Sequence, residues 1–272
     1  MSNPWNNPDA LPPATVADLA QFIDARADLP DQQRAHAALV AALDPQPGAQ
    51  LLDLGCGTGP LTRRLLPIVG PAGLVVGCDI SHAMLSVARA RGPDTANLRY
   101  DHQPDPLRLP YPAAQFAGAL AARMLMHVDD PIALAREVLR VVRPGGRLAV
   151  LDFDWGTLAL DHSDRALTRR ILDWRTDYVD GNNWGGRQNA AHLLRAGWIV
   201  REVVVQVAVA RDARGTLAGG VRRAAQLAAA AAVISADQQN AWTAEIDARL
   251  AEGVFFASIN EYIIVGERAT DG

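Results

Sequence analysis

Lysine is absent from this chain of 272 residues, so all 26 basic residues are arginine. We interpret this absence as a compositional bias and not as a sign of function. With 30 acidic residues, the formal net charge is −4 and the isoelectric point is about 5.8. A broad nucleic-acid-binding surface is strongly basic, so no nucleic-acid partner is expected.

Cysteine is scarce, and long apolar runs are missing. The two cysteines, Cys56 and Cys78, lack the spacing of metal ligands, which predicts a reduced, cytoplasmic protein without a metal site. The first residues are polar and proline-rich, so we expect no signal peptide. The nearest approach to a membrane span, residues 224–234, is too short, and no membrane partner is expected.

The stretch QLLDLGCGTGPLTRR, residues 50–64, predicts a strand, a tight glycine turn and a helix. Its leucines before the glycines are typical of a buried parallel strand, and those after Pro60 resume at helical spacing. Glycine is needed where the backbone adopts unusual angles or approaches a ligand closely. Such a turn most often binds a nucleotide-like ligand at the carboxyl ends of parallel strands, the alternative being a purely structural turn.

The residues around the glycines distinguish between ligands. Pyrophosphate-binding turns read G-x-G-x-x-G, whereas this chain reads D-x-G-x-G-x-G from Asp53 to Gly59. A carboxylate at Asp53 repels phosphate but suits an ammonium group, and S-adenosylmethionine carries an α-ammonium group and no phosphate. Asp79 ends the next apolar strand, where it is placed to accept hydrogen bonds from both ribose hydroxyls. Together these features predict S-adenosylmethionine as the cofactor.

On these residues, the chain resembles the class I S-adenosylmethionine-dependent methyltransferases, especially those of the ubiquinone/menaquinone-biosynthesis type. The resemblance covers about residues 45–155, with five successive β–α units that end in RPGGRLAVLDFDW. It implies a Rossmann-like α/β fold with a seven-stranded, mostly parallel sheet, helices on both faces and a helical lid. The seventh strand is expected to be antiparallel and inserted between the fifth and the sixth.

The same resemblance implies a division of the chain. Residues 1–44 are expected to form helices that cover the active site, or else to pack across a sheet edge. Residues 45–212 and 252–272 are expected to form the Rossmann-like domain, with residues 155–195 partly in the lid. Residues 213–251 are expected to form a helical insertion.

The cofactor residues that the resemblance implies lie in the glycine turn, after the second strand and in two later loops. They are Asp53, Gly55, Cys56, Gly57, Gly59, Asp79, Ile80, Met84, Asp105, Pro106 and Arg123. Asp105 matches the carboxylate that accepts from the adenine amino group. Pro106 departs from the pattern because it lacks the backbone N–H that is usually donated to adenine. Either the adenine contact differs here or Asp101 takes part.

Methyl transfer requires the acceptor to be held in line with the reacting bond and water to be excluded. A general base is needed only when the acceptor still carries its proton. His127, just past the fourth strand, is the leading candidate because histidine titrates near neutral pH. Asp152 and Asp154, after the fifth strand, could instead orient the acceptor or replace His127, and Asp154 is taken as the second catalytic candidate. The alternative, non-catalytic roles are local packing for His127 and loop capping for the two aspartates.

Three aromatic residues, Trp155, Tyr178 and Trp184, are expected to wall a flat acceptor, and Arg187 is expected to bind a carboxylate on it. Core packing and loop capping are the alternatives. We expect a methyltransferase for a small-molecule acceptor, with oxygen slightly ahead of carbon or nitrogen, acting as a monomer or homodimer. Two other interpretations of the function stay open. The protein could be a relative that uses the cofactor for a cyclisation or elimination, or it could be a non-catalytic binding subunit.

Overall fold

A computed structural model describes residue 5 and residues 7–179, 181–214 and 216–270. The strands are β1 (Gln50–Leu54), β2 (Leu74–Asp79), β3 (Leu98–His102), β4 (Phe116–Ala122), β5 (Val142–Leu160), β6 (Ile199–Ala210) and β7 (Ala257–Glu267). The helices are α1 (Pro13–Ala27), α2 (Pro30–Leu43), α3 (Pro60–Val69), α4 (His82–Arg91), α5 (Pro131–Val141), α6 (Arg165–Tyr178), α7 (Gly185–Ala196), α8 (Thr216–Ala230) and α9 (Ala236–Ala251).

The strands form one sheet in the order β3-β2-β1-β4-β5-β7-β6. Neighbours from β3 to β5 pair in parallel, whereas β7 is antiparallel to both β5 and β6. The predicted fold class is therefore confirmed, including the insertion of the last strand between the fifth and the sixth. Because the first five strands are parallel, the loops that follow them lie along one edge of the sheet, where ligands bind in such folds.

Both faces of the sheet are buried, which explains the continuous apolar runs of the central strands. Successive side chains of a strand point to opposite faces. Leu52 and Leu54 of β1 therefore pack in one cluster with residues of α5 and α7, while Leu51 packs in another with residues of α2 and α3. This alternation fixes the register of β1 and with it the position of the glycine turn that follows.

The segment predicted as a helical insertion contains two helices, α8 and α9. Residues 231–235 connect them. The side chains of Ser235 and Gln238 form a reciprocal capping box at the start of α9. Residues of both helices pack with α6 and with the end of β5 in a further apolar cluster around Trp242. Whether this segment acts as a lid stays a prediction. Within the described ranges, no helix has the length and apolar character needed to cross a membrane.

Candidate active site

A cavity of about 850 Å³ lies at the carboxyl edge of the sheet. It is lined by the turns after β1, β2, β3 and β4, by the end of β5 and by one face each of α1 and α8. The lining residues of the two helices recur at intervals of three or four, which places them on one face of each helix. They are Thr15, Leu19, Phe22, Ile23, Arg26 and Ala27 from α1, and Thr216, Gly219, Gly220 and Arg223 from α8. The cavity is thus enclosed between the sheet edge and these helices.

The glycine turn presents bare backbone to this cavity. Gly55, Gly57 and Gly59 have φ angles of 63°, 54° and 77°, in the left-handed region that disfavours side chains. A Cβ atom at Gly55 would lie 2.5 Å from Cγ of Met124, so only glycine fits there. Gly55 and Gly57 line the cavity, whereas Gly59 precedes α3 and packs against Tyr100. This cradle fits a ligand that approaches the backbone closely, as the predicted cofactor must.

Asp79 lies beside the same turn. One of its carboxylate oxygens accepts a hydrogen bond from Gly57 N–H at 2.8 Å, and the other accepts from Ser81 N–H at 2.9 Å. Each oxygen retains a lone pair, so the carboxylate can accept two further bonds. Because Asp79 also lines the cavity, this geometry fits its predicted contact with the two ribose hydroxyls.

Asp53 is buried at the floor of the same region and accepts a hydrogen bond from the Thr62 hydroxyl at 2.6 Å. Burial raises the pKa of Asp53 to about 7, and the bond from Thr62 opposes this shift only in part. A positive charge nearby stabilises the ionised form of such a carboxyl group. The site is therefore suited to an ammonium group.

We expect the affinity for S-adenosylmethionine to rise from about pH 6 to about pH 8. Because the pKa of Asp53 is raised, this carboxyl group is partly protonated near neutral pH, and a bound ammonium group favours its ionised form. Binding should then release a proton, and affinity should fall by up to ~10-fold per pH unit as pH decreases below the raised pKa. Calorimetric titration in two buffers of different ionisation enthalpy measures this release. Asp53→Asn should abolish it, and an undiminished release in that variant would contradict the assignment.

The adenine end of the predicted site lies in the loop after β3. Asp105 lines the cavity, and its side chain accepts a hydrogen bond from Leu107 N–H at 2.9 Å. Asp101 does not line the cavity, and its carboxylate accepts from Arg99 and from the Tyr111 hydroxyl. Asp105 is therefore the better placed of the two. The remaining predicted contacts that line the cavity are Cys56, Ile80, Met84, Pro106 and Arg123.

His127 lies in a short 3-10 turn (Leu125–His127) after β4 and lines the cavity, with its ring 6.2 Å from that of Trp5. Asp152 is buried behind this turn. One oxygen of its carboxylate accepts a hydrogen bond at 2.7 Å from the Asn189 side chain, and the other has no partner in the described part of the chain. Asp152 does not line the cavity itself.

Five predicted site residues lie outside the cavity, which corrects their expected placement: Gly59 of the glycine turn, Asp154, Tyr178, Trp184 and Arg187. Asp154 is fully buried and accepts a bond at 2.8 Å from Arg187, whose guanidinium group lies 4.5 Å from the ring centre of Trp184. Tyr178 is 73% exposed at the end of α6 and stacks on Trp174.

The alternation of side chains along β5 explains part of this difference. The strand continues to Leu160, so residues 152–155 belong to a strand and not to a loop. Phe153 and Trp155 line the cavity, whereas Asp152 and Asp154 do not. Among the predicted substrate residues, Trp155 alone lines the cavity.

A buried polar cluster at the cavity was missed by sequence reasoning. Arg123 donates to Glu261 at 2.7 Å and to the Gln32 amide oxygen, and it lies 3.4 Å from Nε2 of His36. The Gln32 amide also donates to Glu261 at 3.1 Å. All four side chains are buried, so the cluster compensates the charge of Arg123 inside the protein.

A sequence signal for this cluster exists in β7. Glu261 alternates with Ile259 and Ile263, both of which are buried, so the period of two places the glutamate on the same face. A buried glutamate needs a cationic or hydrogen-bonding partner. That rule predicts a partner for Glu261 but does not say which arginine provides it.

Comparisons with known proteins identify the family of this chain. A family model described as a methyltransferase domain matches residues 52–150. A 37.1 kDa protein of a Streptomyces fradiae transposon is 33% identical over 93% of this chain and 72% of its own length. A ubiquinone/menaquinone biosynthesis C-methyltransferase of Ectopseudomonas mendocina is 42% identical over 40% of this chain and 43% of its own length. The match to this second relative spans less than half of that protein.

A solved structure of a protein that is named for a different activity shares this fold. The [4+2]-cyclase SpnF superposes with a TM-score of 0.56 at 21% identity, over 88% of this chain and 82% of that chain. A likeness at this level of identity shows the fold alone. The matched segment of the methyltransferase model contains Asp53, the glycine turn and Asp79. The chain belongs to the class I S-adenosylmethionine-dependent methyltransferase family, whose cofactor is S-adenosylmethionine.

Proposed function

We propose that this protein transfers a methyl group from S-adenosylmethionine to a small-molecule acceptor held in the same cavity. The observation that carries the proposal is that one cavity contains both the cofactor cradle and the turn of His127 with the aromatic residues Phe153 and Trp155. The cofactor supplies an electrophilic methyl group. The chain must then orient an acceptor beside it, which accounts for much of the rate enhancement in such a displacement.

Each part of the cavity has a role in this proposal. Asp79 binds the ribose hydroxyls, and Asp53 faces the ammonium group. The helices α1 and α8 cover the reacting atoms and exclude water. α1 is fastened to the glycine turn by the Thr58 hydroxyl, which donates to Asp24 at 2.7 Å.

The position of His127 is compatible with two kinds of acceptor atom. If the acceptor carries a hydroxyl group, His127 can accept its proton and so activate either that oxygen or a neighbouring ring carbon. We propose oxygen as the first candidate. The Ectopseudomonas relative is described as a C-methyltransferase, and this supports carbon as the second candidate within the same mechanism.

The decisive experiment is a search for acceptor-dependent production of S-adenosylhomocysteine. The purified protein is incubated with labelled S-adenosylmethionine and a panel of phenols and quinols. Formation of S-adenosylhomocysteine together with a methylated product supports the proposal. A new product without S-adenosylhomocysteine supports the cyclisation or elimination reading instead, for which the fold of SpnF gives precedent.

With an acceptor in hand, His127→Asn is expected to lower the turnover number by about 10²–10⁴-fold, the usual contribution of a positioned base. The affinity for S-adenosylhomocysteine should not change. His192→Asn is the matched control, because this half-buried histidine of α7 does not line the cavity. Equal turnover of the His127→Asn variant and the wild type would show that the acceptor needs no base from this residue.

A further inference from the structure

Arg26, in the last turn of α1, brings an uncompensated positive charge to the cavity. It lines the cavity, and its guanidinium group lies 5.3 Å from the ring centre of Phe22. Among the residues that the structure describes, no carboxylate lies within ion-pairing distance of this group. Burial lowers the pKa of Arg26 to about 9, and the neighbouring charge of Arg123 adds to this shift. An anion bound beside Arg26 would relieve both effects.

Three buried donors at the cavity lack partners in the described part of the chain. They are the Nε–H of Arg123, the indole N–H of Trp155 and Nδ1 of His36. All three residues are less than a tenth exposed, and all three line the cavity. Buried polar groups without partners are rare in folded proteins, so each of these asks for a ligand atom or an ordered water.

The tautomer of His36 makes its Nδ1 a donor. Burial, with the charge of Arg123 as the second cause, lowers the pKa of His36 to about 3, so the ring is neutral. Its Nε2 faces Arg123 at 3.4 Å and can only accept from that guanidinium group. The single ring proton then lies on Nδ1. The three unpartnered groups are therefore all donors, which suit an acceptor-rich ligand.

An aromatic surface, formed by Phe153 and Trp155, adjoins these donors. The guanidinium group of Arg123 lies 4.7 Å from the ring centre of Phe153, whose ring centre lies 5.5 Å from that of Trp155. The guanidinium group of Arg175, a residue of α6, lies 3.3 Å from the ring centre of Trp155. A Cβ atom at Gly220 of α8 would lie 3.4 Å from the Trp155 ring, so α8 also packs close to this ring. This surface is therefore formed by neighbouring aromatic rings and guanidinium groups, a lining that binds flat apolar molecules.

We propose that this half of the cavity binds a methyl acceptor with a flat apolar body and a single carboxylate, which lies between Arg26 and the donors of Arg123, His36 and Trp155. This proposal depends on the proposed function in one respect: the molecule bound here is taken to be the one that is methylated. Arg26 and Arg123 share one carboxylate, that of Glu261, so the charge of Arg26 has no ion-pair partner of its own. A carboxylate monoanion balances that charge. A guanidinium group also matches the planar geometry of a carboxylate.

The test uses 2-naphthoate and its neutral analogue 2-naphthamide, titrated calorimetrically into protein saturated with S-adenosylhomocysteine. We expect 2-naphthoate to bind at least ~10-fold more tightly, because its hydrogen bonds to the site are charge-assisted. Arg26→Gln should reduce this preference to less than about twofold, while Arg26→Lys, which keeps the charge, should retain part of it. Arg201→Gln is the control, because Arg201 is half exposed on β6 and pairs with Glu267 outside the cavity.

Trp155→Phe keeps an aromatic ring but removes the indole donor, so it should weaken 2-naphthoate several-fold and 2-naphthamide, whose carbonyl accepts a neutral hydrogen bond, by less. Equal affinity of the wild type for both probes, or no binding of 2-naphthoate at millimolar concentration, would overturn the proposal. So would an Arg26→Gln variant that keeps the full preference. Because S-adenosylhomocysteine binding is measured in the same samples, failure of the cofactor site is seen separately.

Discussion

Asp79→Ala is expected to lower the affinity for S-adenosylmethionine by about 100-fold or more. A hydrogen bond to a charged acceptor contributes about 1.5–3 kcal/mol, and the ribose offers two hydroxyl donors. Since each 1.4 kcal/mol corresponds to a factor of ~10, the loss of both bonds gives at least that change. Calorimetric titration with S-adenosylmethionine and with S-adenosylhomocysteine measures the effect directly.

Two further variants separate the loss of ribose contacts from damage to the turn. Asp79 also accepts from the backbone of Gly57 and Ser81, so alanine leaves two donors unpaired. Asp79→Asn removes the charge but keeps one acceptor oxygen, and an intermediate loss of affinity is expected. Asp101→Ala changes an aspartate of the adjacent strand that does not line the cavity, and its affinity should stay within about threefold of the wild type. Unchanged affinity of Asp79→Ala would place the ribose elsewhere.

The cofactor half of the site was predictable because its chemistry is local in sequence. Asp53 and the three glycines lie within seven consecutive residues, and the backbone angles that the glycines adopt are the ones that residue type permits. Asp79 ends the strand that pairs with β1 in parallel. A short segment therefore carries enough information to place these groups without knowledge of the remaining fold.

The buried cluster around Arg123 could not be predicted in this way, because its residues come from distant segments. Arg123 pairs with Glu261, 138 residues further along the chain, and with Gln32, 91 residues before it. The pairing depends on the insertion of β7 beside β5, and no local pattern specifies the partner. The end of β5 also misled the prediction. Because Asp154 was assigned to a loop, its side chain was expected at the cavity, whereas the continuing strand directs it to Arg187.

Glu261→Ala is expected to lower the free energy of unfolding by about 3–5 kcal/mol, the range typical for breaking a buried ion pair by removal of one partner. The substitution leaves the guanidinium group of Arg123 buried without a carboxylate, 5% exposed and close to the charge of Arg26. Urea denaturation followed by circular dichroism measures the change. Glu267→Ala is the control on the same strand, because its partner Arg201 is half exposed and such pairs contribute only about 0–1 kcal/mol.

A double variant shows whether charge or packing carries the effect. Arg123→Met combined with Glu261→Met removes both charges, so no ion is left buried without a partner. If the uncompensated guanidinium group causes the loss, the double variant should recover at least half of the stability lost in Glu261→Ala. No recovery would mean that the hydrogen bonds of Gln32 to this pair, and not the ion pair itself, hold α2 against the sheet.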